Sequence, residues 1–384
     1  MIPLSVPCLR GNESRYVQEC LDTAWVSSAG KYVDAFERRI CEVTGAGHAV
    51  ACVSGTAALH VALRLAGVRS GDEVLVPSLT FIAPVNAIRY LNADPIFMDC
   101  DTFYNVDMEK TVDFLKNETE QRDNGAYHRR TGRRIAALIP VHIFGHAADL
   151  NLLLDLCREK NIKIVEDASE SLGTRYRRDM LGGRHTGTVG DIGCLSFNGN
   201  KIMTTGGGGM LLTHDAGIAE QARYLTTQAK DDAVRYIHHD IGYNYRMTNV
   251  AAAMGVAQLE QLTEFLRIKR KNYETYRTAI DAMDGLSLAE PPAYACCNHW
   301  FYCLQIDAAV YGMDRDELMQ TLSEKGIQTR PLWYPNHLQK PYAKNRAYRI
   351  ERTLELWRNT LNIPCSVGLT ESDLGCVISA LRRR

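Results

Sequence analysis

The chain has 384 residues, 46% of them hydrophobic, so it is long enough to bury one large core or two linked ones. Its formal net charge of −1 gives neither the basic field that nucleic-acid binding needs nor a polybasic membrane footprint. No apolar run approaches the roughly 18 residues of a membrane span, and the first residues lack the basic-then-apolar pattern of a signal peptide. The composition therefore predicts a cytoplasmic protein.

Twelve cysteines are scattered through apolar, strand-like runs and do not form a disulfide framework. There is no CxxC motif, the vicinal pair Cys296–Cys297 is poorly placed for a mutual bridge, and no His/Cys group has metal-site spacing. We expect reduced, mostly buried thiols and no metal centre.

From about residue 46 to 215, short β-rich runs alternate with helical patterns. The runs in chain order are HAVACVS, DEVLVPS, DPIFMDC, RIAALIPVHIF, NIKIVEDAS, GDIGCLSF and GMLLT. Helix-like segments such as GTAALHVALRLAGV and DLNLLLDLCREK separate several of them, which predicts βαβ units and a mostly parallel sheet. The polar stretch 116–134 has no period, and we expect it to be a surface excursion between a helix and a strand.

The rest of the chain predicts a second, smaller α/β region. Residues 249–283 have the pattern of one long helix, which is followed by the strand WFYCLQI, the helix DELMQTLSEKG, the segment TRPLWYPNH and a last helix over 371–384. We expect a large domain over 1–264 and a small C-terminal domain over 265–384. The N-terminal segment is a candidate to pack on the small domain.

Four signals lie at the ends of predicted strands, where open α/β sheets bind their ligands. The first is the turn SGTA, in which Gly55, Thr56 and Ala57 open a helix after a strand. The free N–H groups and dipole of such a helix end bind anions, although plain capping explains the same residues equally well. The second is Phe81 in VPSLTF, which is either a core side chain or a ring that stacks on a flat ligand.

The third signal is Asp167, at the end of the apolar run NIKIVED. A carboxylate is costly there unless a cation or donors meet it, and its alternative role is to cap the next helix. The fourth is Lys201, which lies between a strand-like run ending near Ser196 and the glycines of TTGGGG. Such a glycine run indicates close packing or positive φ. A lysine buried beside it could act as a nucleophile, whereas the ordinary alternative is a solvated surface lysine.

In this order, an anion-binding turn, a stacking ring, a strand-end aspartate and a lysine form the arrangement that pyridoxal phosphate requires. The helix end takes the phosphate, the ring stacks on the pyridine, the aspartate pairs with the protonated ring nitrogen and the lysine forms a Schiff base. The glycine run does not match a dinucleotide-binding or P-loop fingerprint, because it lacks the spacing and precedes a strand.

The sequence resembles the pyridoxal-phosphate-dependent sugar-nucleotide aminotransferases of the DegT/StrS type over nearly its whole length. The resemblance rests on WVSSAGKYVDAFE, SGTAALHVAL, VPSLTFIAPVNAI, PVHIFGHAADL, VEDASESLG, GDIGCLSFNGNKIMTTGGGGM, IGYNYRMTN and RPLWYPNH. These versions look most similar to enzymes that aminate C4 of a UDP-linked 4-keto-6-deoxy-N-acetylhexosamine, as in legionaminic acid or bacillosamine-type pathways. The resemblance implies an aspartate-aminotransferase-like fold (fold type I) and a homodimer with active sites at the subunit interface.

The resemblance also implies roles for single residues. Lys201 matches the Schiff-base lysine, Asp167 the partner of the pyridinium nitrogen and Phe81 the stacking ring. Residues that match the phosphate-binding region are Gly55, Thr56, Ala57, Ser196 and, from the neighbouring subunit, Asn244. Residues that match parts touching the sugar nucleotide are the stretch from Trp25 to Lys31, including Ser27 and Ser28, and the region of His337.

One position departs from the family's pattern. Many members have glutamine three residues after the aspartate, bonded to the cofactor's phenolic oxygen, whereas this chain has Glu170. An ionised carboxylate would repel a phenolate, so Glu170 must be protonated, turned aside or bonded through another group. Related dehydratases have histidine in place of the lysine, and the presence of Lys201 favours transamination.

The implied function is transfer of an amino group from an amino acid, with L-glutamate expected, to the C4 ketone of a nucleotide-linked 4-keto-6-deoxy sugar, with UDP expected. An arginine often holds the donor carboxylate in this fold type, and Arg246 and Arg330 are both candidates. The alternatives are a pyridoxal-phosphate-dependent sugar dehydratase or deaminase, and a regulator that binds the cofactor or the sugar nucleotide without turnover.

Overall fold

The structure is a computed structural model that describes residues 1–122, 125–232 and 234–382. The α-helices among these residues are α1 (Glu13–Asp22), α2 (Lys31–Thr44), α3 (Gly55–Leu65), α4 (Ala83–Tyr90), α5 (Met108–Asn117), α6 (Asn151–Glu159), α7 (Ala216–Thr226), α8 (Asn249–Leu259), α9 (Leu262–Ile280), α10 (Ala308–Tyr311), α11 (Arg315–Glu324), α12 (Arg352–Asn359) and α13 (Glu371–Leu381). Short 3-10 helices occur at Ile143–Gly145, Asp179–Leu181 and Asn336–Leu338.

The strands in the same ranges are β1 (His48–Cys52), β2 (Glu73–Pro77), β3 (Asp94–Met98), β4 (Thr119–Arg122), β5 (Gly125–His128), β6 (Ile135–Leu138), β7 (Lys163–Asp167), β8 (Arg175–Tyr176), β9 (Ile192–Ser196), β10 (Gly209–Thr213), β11 (Leu286–Leu288), β12 (Ala295–Cys296), β13 (Tyr302–Ile306), β14 (Arg330–Pro331), β15 (Arg346–Tyr348) and β16 (Thr360–Ile363).

The large sheet has the strand order β1-β10-β9-β7-β6-β2-β3-β15. Neighbours from β9 to β15 run parallel, and β10 runs antiparallel to both of its neighbours. All seven β-rich runs noted between residues 46 and 215 become strands of this sheet, because a strand covered on both faces must be apolar throughout. The prediction of an α/β fold with a mostly parallel central sheet is confirmed.

Helix α3 is the central helix of the large region. Its residues 57–63 are all buried, and its first residue packs against the ends of two strands. A Cβ added to Gly55 would lie 2.8 Å from the Cβ of Ser196 and 3.3 Å from the Oγ of Ser169. The sheet and α3 therefore place a helix N-terminus beside the carboxyl ends of β7 and β9.

The C-terminal part of the chain forms a four-stranded antiparallel sheet with the order β11-β13-β16-β14. The first residues of the chain join it: Ile2 bridges to Ile327, and the carbonyl of Leu4 accepts the N–H of Cys365 at 2.8 Å. The predicted domain boundary at residue 265 falls inside α9. The chain also returns to the large sheet, since β15 pairs with β3.

One local prediction is wrong, and two others fall partly outside the described residues. The stretch 249–283 is two helices, α8 and α9, which separate where the side chains of Gln258 and Gln261 turn to bond with Glu13 of α1. The stretch 116–134 runs between α5 and β6, as expected, and it contains the paired strands β4 and β5; residues 123 and 124 lie outside the described ones. The last helix ends at Leu381, and its predicted end at 383–384 also lies outside them.

All twelve cysteines are free thiols, and most are buried. None of the described helices combines the length and the apolar character needed to cross a bilayer. No cluster of three or more His, Cys, Asp or Glu side chains suited to a metal ion occurs within the described ranges.

Candidate active site

A cavity of about 540 Å³ opens where β7 and β9 end and α3 begins. The residues singled out in the sequence that line it are Gly55, Thr56, Phe81, Asp167, Glu170, Ser196, Lys201 and Arg330. They come from separate strand ends and loops, which the parallel sheet brings to one edge. The structure therefore assembles in one place most of the residues that the sequence proposed for the cofactor.

Lys201 lies in the loop after β9, and its side chain is only 13% exposed. Its Nζ is 3.6 Å from Oε1 of Glu170 and 4.1 Å from the centre of the Trp300 ring. That ring is itself fixed, because it stacks on Phe301 and donates its Nε1–H to the carbonyl of Asn200 at 2.6 Å. The amine is thus held at the cavity wall between a carboxyl group and an aromatic face, and the surface-lysine alternative does not describe it.

The glycines after Lys201 allow a close approach of backbone to backbone. Gly206 has a φ of +78°, which L side chains rarely adopt. A Cβ on Gly209 would lie 2.3 Å from the carbonyl oxygen of Ser54, and a Cβ on Gly208 would lie 2.3 Å from Oγ1 of Thr205. The glycine run therefore lets β10 pass directly beside the first turn of α3.

The N-terminus of α3 is capped by Ser54, but two of its backbone N–H groups are not used by the cap. The Oγ of Ser54 accepts the N–H of Ala57 at 3.1 Å, and its carbonyl accepts the N–H of Ala58 at 3.1 Å. The N–H groups of Gly55 and Thr56 have no acceptor within the helix. These two groups, rather than the amide of Ala57, are available to an anion in the cavity.

Asp167 ends β7 and is buried, and it forms no ion pair with any residue in the described ranges. Its Oδ1 accepts the N–H of Ser169 at 3.0 Å. Burial raises the pKa of Asp167, although the bonds from Ser169 and the charge of Lys201 oppose the rise. A buried carboxyl group without an ion-pair partner is well suited to a ligand that presents a cationic N–H.

These residues fit pyridoxal phosphate. The cavity offers a buried acid for a ring nitrogen, the two amide N–H groups at the start of α3, which no described residue accepts, for a phosphate, and a lysine for an aldehyde. Phe81 is 53% exposed, and its ring makes an edge contact with Trp333 at 6.4 Å between ring centres, so a face of the ring is open to a flat ligand.

The two arginine candidates lie in different surroundings. Arg246 forms an ion pair with Glu37 of α2, and its backbone bridges to Cys52 on β1. Arg330 lines the cavity, and its guanidinium group makes no ion pair or hydrogen bond with any residue that the structure describes. The geometry therefore favours Arg330 as the group that meets a substrate carboxylate.

The residues matched to the sugar nucleotide do not line this cavity within one chain. Trp25 and Lys31 border a separate cleft of about 350 Å³, where Lys31 forms an ion pair with Glu19. Ser27 uses its carbonyl to accept the N–H of Asn249 at 2.6 Å, and Ser28 is exposed.

Two further predicted residues also lie off the cavity. Asn244 is exposed on the segment after α7 and bridges to Thr227. His337 lies with its Nδ1 2.6 Å from Oγ of Ser78, just after β2, so the short helix that carries it is attached close to Phe81.

The cavity also contains residues that sequence reasoning missed, chiefly Trp300, Phe301, Trp333, Asn200, Leu4 and Ser5. The first two were assigned only to a strand and the third to a proline-containing segment. Their position beside Lys201 depends on how the C-terminal part docks on the large sheet. The one available signal is that two of the chain's four tryptophans occur in the paired aromatics WF and WY.

A model of the DegT/DnrJ/EryC1/StrS aminotransferase family matches residues 7–382. The chain is 36% identical to a GDP-perosamine synthase of Caulobacter vibrioides, over 99% of this chain and 97% of that protein. It is 37% identical to the putative pyridoxal phosphate-dependent aminotransferase EpsN of Bacillus subtilis, over 99% and 95%. Among solved structures, the aminotransferase TlmJ of Streptoalloteichus hindustanus superposes with a TM-score of 0.87 at 30% identity, covering 100% of this chain and 98% of that one.

These findings confirm the enzyme class and the cofactor. The similar proteins include GDP-perosamine synthases, so the findings do not support the expected likeness to enzymes of UDP-linked N-acetylhexosamines. The chain belongs to the DegT/DnrJ/EryC1/StrS aminotransferase family and is a pyridoxal-phosphate-dependent sugar aminotransferase.

Proposed function

We propose that this protein transfers the amino group of L-glutamate to the C4 ketone of a nucleotide-linked 4-keto-6-deoxy sugar. The observation that supports this best is the single cavity shared by Lys201, Asp167 and the open N-terminus of α3. Similarity to GDP-perosamine synthases favours a GDP-linked sugar as the acceptor over the UDP-linked sugar that the motifs suggested.

When bound, pyridoxal phosphate supplies an aldehyde that takes up the amino group and a ring that accepts the electrons released at the donor carbon. Lys201 would hold it covalently, and the lysine amine, once freed, takes the proton from the α-carbon of the donor. Asp167 would keep a proton on the ring nitrogen, because a buried carboxylate is stabilised by a cationic partner. Residues that would hold the rest of the group are Gly55, Thr56, Ser196 and Phe81.

The donor carboxylate is assigned to Arg330. Arg330 lines the same cavity as Lys201, and its guanidinium group bonds no residue that the structure describes, whereas Arg246 is paired with Glu37. A planar guanidinium binds a carboxylate through two parallel hydrogen bonds, which fixes the orientation of the donor.

We assign Asn244 and the stretch from Trp25 to Lys31 to the active site of a second copy of the chain in a homodimer. Asn244 is exposed, and Trp25 is 58% exposed, so both are accessible to another subunit. On this proposal Asn244 reaches the phosphate, and the stretch from Trp25 to Lys31 touches the sugar nucleotide, in the neighbouring active site.

The activity is tested by incubating the purified protein with glutamate and 4-keto-6-deoxy sugars linked to GDP, UDP or dTDP. We expect 2-oxoglutarate and an amino sugar in equal amounts, with the GDP-linked sugar used best. A dehydratase would change the sugar without consuming glutamate, and a regulator would leave both unchanged.

Lys201→Ala tests the attachment site. Without the amine there is neither a covalent link nor a proton carrier, so we expect no turnover above background and no cofactor fixed to the chain by borohydride. In the wild type, peptide mapping after reduction should place the label on residue 201. Near-normal turnover of the variant, or a label elsewhere in the wild type, would refute the assignment.

A further inference from the structure

Lys269 of α9 is a buried lysine to which the proposed reaction gives no role. Its Nζ donates hydrogen bonds to the carbonyl of Trp300, at 2.6 Å, and to the carbonyl of Cys365. It forms no ion pair with any residue in the described ranges, and burial lowers its pKa. The ionisable side chains around it, Cys365, His299 and Tyr302, supply no carboxylate. An amine is costly to bury without one, so packing alone does not explain this position.

The carbonyl that Lys269 binds belongs to a tryptophan whose backbone is held on both sides. The N–H of Trp300 donates to Oδ1 of Asn298 at 2.9 Å, and the carbonyl of Trp300 accepts from Lys269. The residue between them, His299, has a φ of 53°, a left-handed conformation that non-glycine residues rarely adopt. Because the peptide groups on either side of a residue set the direction of its Cβ, these bonds aim the indole ring.

The side chain of Trp300 contacts the loop of Lys201 in two ways. Its Nε1–H donates to the carbonyl of Asn200, the residue before Lys201, at 2.6 Å. Its ring centre lies 4.1 Å from Nζ of Lys201, and the ring stacks on Phe301. The face of an indole ring stabilises a positive charge. The nitrogen of Lys201 carries such a charge as a free ammonium group and also, when protonated, after attachment to an aldehyde.

Lys269 has two possible routes to Lys201. A cavity of about 20 Å³, which has room for about one water molecule, is lined by both lysines together with Asn200 and Trp300. A charge on Lys269 that acts directly across this cavity would disfavour a positive charge on Lys201. The second route runs through Trp300, and it is the one along which the structure has contacts: a hydrogen bond to the Trp300 carbonyl and the ring against Nζ.

We propose that Lys269 is a positioning residue of the amino-group transfer: by holding the carbonyl of Trp300, it keeps the indole ring against the nitrogen of Lys201. The proposal rests on the proposed role of Lys201 as the attachment point of the cofactor. It also gives the buried amine a function, because the bond to Trp300 fixes a ring that favours a proton on the linking nitrogen.

The test is a pH titration of the visible absorbance of the loaded enzyme, which depends on whether the linking nitrogen carries a proton. Lys269→Met keeps the length of the side chain and removes the donor. We expect the midpoint of the titration to fall by about 0.4 of a pH unit or more, because the ring no longer holds the charge. Glu170 and Asp167, which also interact with Lys201, are unchanged in the variant. An unchanged midpoint overturns the proposal, and so does a higher one, which would indicate direct repulsion between the lysines.

A second variant, Trp300→Leu, shows whether Lys269 acts through the ring. It removes the aromatic face and the bond to Asn200, so its midpoint should fall at least as far as that of Lys269→Met. The double variant should fall no further than Trp300→Leu alone, because without the ring Lys269 has nothing to position. A midpoint unchanged in Trp300→Leu, or a double variant that shows the sum of the two single shifts, overturns the proposal.

Lys110→Met is the matched control. Lys110 also joins distant segments, since its Nζ donates to Oδ2 of Asp99 at 2.7 Å and to the carbonyl of Arg349 at 2.9 Å, but it lines neither cavity. Its variant should have a lower melting temperature, because Asp99 loses its cation, and a wild-type midpoint. A shift equal to that of Lys269→Met would show that general loss of stability moves the midpoint, and it would overturn the proposal.

Borohydride labelling of the same preparations separates the two hypotheses. A label on Lys201 together with an unchanged midpoint in Lys269→Met refutes the role of Lys269 alone. A label elsewhere refutes the attachment site, and the role of Lys269 falls with it.

Discussion

Asp167 is proposed to act on the cofactor, and the same buried position lowers the folding stability of the cofactor-free protein. Its carboxyl group is buried, and burial raises its pKa. An acid whose pKa is raised by folding destabilises the folded state as pH rises above its unfolded value of about 3.9, and the penalty is complete above the folded pKa. Without the cofactor, therefore, the charged form of Asp167 opposes folding at neutral pH.

Asp167→Asn should raise or leave unchanged the melting temperature of the cofactor-free protein at pH 8, since the amide needs no proton to be neutral. The gain should disappear at pH values below the unfolded pKa. Turnover should fall by at least about a hundredfold, because the amide cannot hold a proton on the ring nitrogen. Calorimetry and the glutamate assay measure the two effects, and a lower melting temperature at pH 8 would contradict the argument.

Asp99→Asn is the control of opposite sign. Burial alone would raise the pKa of Asp99, but bonds from Lys110 and from the N–H of Thr353 outweigh burial, and the pKa is lowered. Such a carboxylate stabilises the fold above its unfolded pKa, and that contribution is lost as pH falls through the folded pKa. The same substitution there should therefore lower the melting temperature at pH 8.

Single residues differ in how far the sequence predicted their positions. Lys201 and Asp167 follow buried strands, and the strand-end rule alone brings them to one edge. The ion pair between Arg246 and Glu37 joins distant parts of the chain, so no pattern in the sequence around either residue predicts it. Trp300 was predictable as a buried aromatic but not as the ring beside Lys201, because that contact spans two sheets.

At the scale of elements, the contact between β10 and α3 holds the anion site open. Gly209→Ala would force a Cβ to within 2.3 Å of the carbonyl of Ser54, which is backbone and cannot give way cheaply. We expect a loss of at least about 2 kcal/mol of unfolding free energy, measured by denaturant titration. Gly199→Ala is the matched control, since an added Cβ there meets nothing within 4 Å. Its effect should stay within about 0.5 kcal/mol, and equal losses at both sites would show that the contact is unimportant.

Elements whose apolar pattern reflects burial were predictable, and elements decided by distant contacts were not. The strands of the large sheet lie in covered, apolar runs such as EVLVP, in which every residue is buried. The break between α8 and α9 interrupts a continuous helical pattern, and it lies where Gln258 and Gln261 bond to the distant Glu13. The strand β15 has only partly buried and exposed residues and gains its place by pairing with β3.

At the scale of the whole molecule, the proposed homodimer can be tested by combining two different variant chains. Lys201 lines the cavity of its own chain, whereas Asn244 lies exposed away from it. If Asn244 serves the neighbouring site, a hybrid of Lys201→Ala and Asn244→Ala chains contains one site free of both changes. Mixed and reassembled chains should therefore recover part of the activity that each variant lacks. If verified hybrids recover no activity, Asn244 acts in the active site of its own chain or in no active site.

The cavity draws its walls from two sheets: Asp167 and Ser196 end strands of the large one, and Arg330 belongs to β14 of the small one. The wall from the large sheet contains Lys201 and Asp167, the residues proposed for the transfer of the amino group. The short helix after β14 is joined to the large region by Asn336, whose Nδ2 donates to the carbonyl of Thr80 at 2.7 Å. The two walls meet where Lys201 contacts Trp300, so substitutions of these two residues should be coupled. A substitution of Arg330, whose guanidinium group bonds no residue that the structure describes, should combine almost additively with changes in the wall that carries Asp167.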